Sequence, residues 1–127
     1  MIVKYLAVAI CSVVFAAEAY SQELNSFREF QKKLIETIRK SIPAFVFIGG
    51  GSGVLISSDG WILTNHHVAG PTGQKHKVHL TGGRGFDATV IGHDPLGDVS
   101  LLKIQQDVKD LPYLKLADSD DLKVCQF

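Results

Sequence analysis

Between Ala44 and Ile104 the apolar residues come in short runs, and nearly every gap between them holds glycine. A helical core needs longer stretches with a three- to four-residue period, so this segment reads as β structure. The runs give strands over Ala44–Ile48, Val54–Ser57, Trp61–Thr64, Lys77–Thr81, Phe86–Ile91 and Val99–Ile104, with a further short one over Leu114–Leu116. Ser58-Asp59-Gly60 carries the Asp-Gly hairpin signal, and Gly82-Gly83-Arg84-Gly85 marks a second tight turn. Gly49-Gly50-Gly51-Ser52-Gly53 reads as a flexible connection. Short strands at this spacing predict an all-β fold, a closed antiparallel barrel.

One segment departs from that pattern. Phe27, Phe30, Leu34, Ile38 and Ile42 recur at three- and four-residue spacing, which predicts an amphipathic helix over 23–42. Ser26 and Glu29 fit a capping box at its start, and Pro43 ends it. Glu29 and Glu36 dilute its basic face, so packing on a β-domain is expected rather than a membrane surface.

Upstream, Lys4 precedes an apolar run from Tyr5 to Phe15, and Ala17-Glu18-Ala19 supplies the small residues that a signal peptidase reads. Residues 1–19 are therefore expected to be a signal peptide, cleaved after Ala19 and leaving no stable membrane anchor. The product would be exported, periplasmic or secreted. Residues 20–42 then form a spacer and helix, and 43–127 a single domain. Loss of Cys11 with the signal leaves Cys125 alone, so no internal disulfide can form; Cys125 reads as a small buried thiol. The chain has 13 Lys and Arg against 13 Asp and Glu, so no field of one sign favours nucleic acid.

Two places carry chemistry. In Thr64-Asn65-His66-His67-Val68-Ala69-Gly70 a strand ends and a turn presents histidine. In Asp94-Pro95-Leu96-Gly97-Asp98-Val99 an aspartate stands at the mouth of a buried strand. A histidine acting as a base needs a partner that fixes its tautomer and favours its protonated form, and such an aspartate meets that need.

Gly51-Ser52-Gly53-Val54-Leu55-Ile56-Ser57-Ser58-Asp59-Gly60-Trp61-Ile62-Leu63-Thr64-Asn65-His66-His67-Val68 resembles the trypsin-like serine proteases of the HtrA/Deg type. Asp98-Val99-Ser100-Leu101-Leu102-Lys103-Ile104 is similar to that family's Asp-Leu-Ala-Leu-Leu-Lys-Ile, and the likeness covers roughly residues 27 to 127. The resemblance implies the first Greek-key barrel of a two-barrel fold, with the second barrel absent from this chain. It implies a serine endopeptidase acting on exposed or unfolded polypeptides, with no cofactor. His67 would be the general base and Asp98 the residue that orients it. His66 is the rival, but the family histidine directly precedes Val, which selects His67. Relatives of this type commonly form homotrimers through their N-terminal segments, so trimerisation is a further implication.

Three departures stand out. Ser100 replaces the usual alanine, so its hydroxyl must find a partner. Cys125 stands where glycine is usual. No Gly-Asn-Ser-Gly-Gly-like nucleophile loop occurs before Phe127, so the chain alone is expected to be inactive; a non-catalytic binding module or an inactive truncated product is the alternative. Ser52 lies among glycines, but Gly50-Gly51-Ser52-Gly53-Val54 fails the Gly-x-Ser-x-Gly elbow and belongs to the scaffold. His66, His67, His76, His79 and His93 are numerous enough for a metal site, yet His76 and His79 are an odd number of strand positions apart and point to opposite faces, so no metal site is expected.

Overall fold

The computed structural model describes residues 2–124, with side chains from residue 20 onward. It divides into two units with a boundary between Arg39 and Lys40. The first lies within helix α1, which spans Ile2–Ser41, crosses that boundary by two residues and ends at a 3₁₀ turn, Ile42–Ala44, that contains Pro43. α1 therefore begins far upstream of the predicted start at residue 23. Ser26 does not cap it; its hydroxyl donates to the Glu23 carbonyl at 2.7 Å. The apolar segment before it is helical too, so the backbone N–H groups that a cap would satisfy already lie inside the helix. The stripe residues Phe27, Phe30, Leu34 and Ile38 are exposed. Among the described residues no helix is long and apolar enough to cross a membrane. Cys125 lies outside the described residues.

The second unit is a barrel of six antiparallel strands: β1 (Phe45–Ile48), β2 (Gly51–Leu55), β3 (Trp61–Thr64), β4 (Lys75–Leu80), β5 (Gly85–Asp94) and β6 (Val99–Ile104). They close in the order β1-β2-β3-β6-β5-β4. Strands β4 to β6 follow one another as hairpins, and β6 then returns beside β3, which is a Greek key. Alternate residues point inward, as a two-residue period demands. Val46, Ile48, Leu55, Ile62, Val78, Val90, Leu102 and Ile104 fill the interior, each at most 2% exposed. Leu111 packs on the same core from the segment after β6.

Beyond shifts of one or two residues at strand ends, such as β4 at Lys75–Leu80 against the expected Lys77–Thr81, three strand assignments differ from the sequence expectation. β2 begins at Gly51, so Gly51-Ser52-Gly53 is ladder, not a flexible link; Gly51 pairs with Ile48 and Gly53 with Val46. A Cβ on Gly53 would lie 2.8 Å from the Leu63 carbonyl oxygen and 3.0 Å from Ile48 Cδ1, so glycine is required by close approach. β5 runs on past Ile91 to Asp94 because a bulge between Val90 and Gly92 absorbs the extra residue and keeps the pairing with β6. Leu114–Leu116 is not a strand. Only the Leu114 N–H reaches a strand there, donating to the Leu55 carbonyl at 2.9 Å, and Pro112 has no N–H with which to extend a ladder. The Asp59-Gly60 turn is as predicted, with Gly60 at φ +95°.

Candidate active site

β3 and β6 are antiparallel neighbours in which Thr64 stands opposite Ser100. The chain leaving β3 therefore meets the chain entering β6, and residues 31 positions apart become neighbours there. After Thr64 the chain turns at Asn65 into the one-turn helix α2 (His66–Ala69). Thr64 fixes this exit, its hydroxyl donating to the Ser52 carbonyl at 2.6 Å.

His67 Nδ1 lies 2.7 Å from Asp98 Oδ2. An ionised carboxylate only accepts, so Nδ1 carries the hydrogen and Nε2 keeps its lone pair. The His67 backbone N–H donates to Asp98 Oδ1 at 2.9 Å, and the His66 N–H donates to the Asp98 carbonyl at 3.2 Å. The Asn65 side-chain amide donates to the Asp98 carbonyl and to Oδ2, each at 3.2 Å. Asp98 itself adopts φ +52°, a left-handed conformation uncommon outside glycine. The pair is not sequestered: the His67 side chain is 71% exposed and that of Asp98 42%.

The two adjacent histidines go separate ways. His66 turns from Asp98 and stacks on His93, ring centres 4.7 Å apart and planes inclined by 16°. His93 is brought there by the strand continuing beyond the β5 bulge, and its Nδ1 accepts from the Thr72 N–H at 3.1 Å. His76 is half-buried, its Nε2–H donating to the Ala69 carbonyl at 2.7 Å, whereas His79 is exposed. Among the described residues no three His, Cys, Asp or Glu side chains converge in a way that could hold a metal ion.

Ser52 lines one cleft with Gly50, Gly51, Asn65, His67 and Val68, but among the described residues no hydrogen bond joins it to His67. Ser100 is 1% exposed and its hydroxyl has no partner among the described residues, contrary to the sequence expectation. The hydroxyl of Thr64, opposite it in the ladder, is already committed to Ser52. An unsatisfied hydroxyl of this kind costs about 1 kcal/mol or more.

Residues 51–127 match the trypsin-like peptidase domain. The chain belongs to the trypsin-like peptidase family. The barrel is thus a trypsin-like barrel. A second match, to peptidase S46, covers residues 17–79. The chain is similar to a probable periplasmic serine endoprotease, DegP-like, of Chlamydia pneumoniae, 49% identical over 74 residues, 58% of this chain. It is 48% identical over 86 residues to the periplasmic pH-dependent serine endoprotease DegQ of Escherichia coli, which covers 67% of this chain. A DegP-like endoprotease of Pseudomonas fluorescens is 51% identical over 77 residues, 61% of this chain. The matched stretches span only 14%, 18% and 16% of those three relatives.

The electrostatics of the pair have a measurable consequence. The His67 backbone N–H, then the His67 ring and Asn65, hold the Asp98 carboxyl below its ordinary value of 3.8. Ser57 and Lys103 do the same for Asp59, and Lys77 for Asp87. A carboxyl depressed in the folded state contributes stability above its unfolded pKa and loses it as pH falls through the folded value. Stability measured by urea unfolding is therefore expected to hold from neutral pH to about pH 5 and to fall below pH 4. The Asp98→Asn variant should show a shallower fall; an identical acid limb would mean that Asp98 is not held in this way.

Proposed function

We propose that this chain supplies the acid–base half of a serine endopeptidase working outside the cytoplasm, with His67 as general base and Asp98 orienting it. The observation that carries the reading is the 2.7 Å contact between His67 Nδ1 and Asp98 Oδ2, made from a turn that leaves the ring exposed toward the Gly50–Ser52 cleft. With Nδ1–H held by Asp98, the Nε2 lone pair can take a proton from a serine hydroxyl as that oxygen attacks a peptide carbonyl. The same proton then passes to the leaving amine. Asp98 stays ionised and steadies the imidazolium formed between those steps.

The serine and the amides that hold the oxyanion are assigned to residues outside 1–127. The substrates are exposed or unfolded polypeptide segments; that the relatives are endoproteases supports polypeptides as the class. The signal-like residues 1–19 and the periplasmic relatives both support export, with removal of residues 1–19.

The assignment of the nucleophile is tested with a fluorophosphonate probe on the 127-residue chain. No serine should react, since among the described residues no histidine is hydrogen-bonded to a serine hydroxyl. A covalent adduct at Ser52, found by mass spectrometry of the digested protein, would overturn the assignment and make the shared cleft the complete site.

A further inference from the structure

Asn65 holds the N-cap position of α2, where an asparagine side chain ordinarily accepts from a backbone N–H of the first turn. Here it accepts none. The backbone N–H of His67 is taken instead by the carboxylate of Asp98, while the Asn65 amide reaches 33 residues along the chain to Asp98. Asp98 thus takes the bond that a cap at Asn65 would ordinarily accept. Both Asn65 contacts come from Nδ2, whose two hydrogens face a main-chain carbonyl and a carboxylate, groups that only accept.

We propose that Asn65 is a positioning residue for the acid–base pair, its amide bridging the carbonyl and the carboxylate of Asp98. The inference rests on the pairing of His67 with Asp98 proposed above. Tying those two groups together fixes the Asp98 side-chain torsion and its main-chain carbonyl at once. This is the restraint needed by a residue at φ +52°, where a side chain other than glycine's is disfavoured. It also leaves Oδ2 aimed at His67 Nδ1, because that oxygen accepts from both. The carboxylate is half exposed, so packing alone does not hold it.

The test reads the His67 tautomer by nitrogen-15 NMR of ring-labelled histidine in the 127-residue chain, at a pH where the ring is neutral. The unaltered chain should place the hydrogen on Nδ1. Asn65→Ala and Asn65→Asp should each move the ratio toward Nε2–H by about fivefold, the worth of one ordinary hydrogen bond. Aspartate caps a helix as well as asparagine does, so a residue serving only as a cap would tolerate Asn65→Asp. If Asn65→Asp keeps the original tautomer, the proposal falls. Asp98→Asn is the reference: if it leaves the tautomer unchanged, the pairing itself is wrong, and the fault lies there rather than with Asn65. Unshifted amide signals from Val46 and Leu102 certify the fold. If neither Asn65 variant folds, Asn65 is a structural residue and the proposal is overturned.

Discussion

Asp98→Asn, made in a chain that also carries the nucleophile-bearing barrel, is expected to lower kcat for peptide hydrolysis by about 10⁴-fold with the protein still folded. Asparagine preserves the shape of the side chain but can present its N–H₂ where Oδ2 now accepts. His67 would then have to face that donor with a bare Nδ1, leaving the hydrogen on Nε2 and no lone pair for the serine. His67→Ala should be at least as damaging, because the base itself is gone. His66→Ala is the internal control: His66 stacks on His93 and touches Asp98 only through its backbone N–H, which alanine retains. Most activity should survive it. Steady-state kinetics on a peptide substrate decide the matter, and an inactive His66→Ala beside an active His67→Ala would assign the base to the wrong histidine.

The largest effect on stability is expected at Gly53. Its added Cβ would meet the Leu63 carbonyl at 2.8 Å and both Ile48 Cδ1 and Ile62 Cγ2 at 3.0 Å. The side-chain ends can yield a little, but the carbonyl belongs to the β2–β3 ladder and cannot move without moving β3. Overpacking of this kind costs about 3 kcal/mol, a large share of the stability of a small domain. Gly53→Ala should therefore lower the urea midpoint sharply, and Gly53→Val should prevent folding. Gly82→Ala is the contrast, since nothing lies within 4 Å of its Cβ position. It should be neutral or slightly stabilising, because alanine restricts the unfolded chain. Equal losses at the two positions would show that conformational freedom, not close approach, is what glycine provides in β2. Because Leu63 is followed by Thr64 and Asn65, a displaced β3 should also disturb the turn that presents His67.

Much of this fold is legible along the chain because its signals are local. The Asp59-Gly60 turn and the Gly82–Gly85 turn depend on a few adjacent torsions, and β1, β3 and β6 are short apolar runs that read as strands, although which of their residues face inward is decided only by the closed barrel. The His66-His67 pair and Asp98 are also marked locally, the histidines just after a strand and the aspartate just before one, while the choice of His67 rests on the family resemblance. The sequence reads only a turn after β3; that Asn65 precedes a one-turn helix, and where its amide points, are seen only in the structure. That amide turns to Asp98 because the β3–β6 pairing brings a carbonyl and a carboxylate within reach. The same dependence on distant partners explains the other departures. Ser26 loses its capping role to helix upstream of it, Gly53 is needed because Leu63 crosses beside it, and the β5 bulge delivers His93 to His66. Local sequence sets torsions, periodicity and residue chemistry; which distant groups then share a hydrogen bond or a close contact is decided only when the barrel closes.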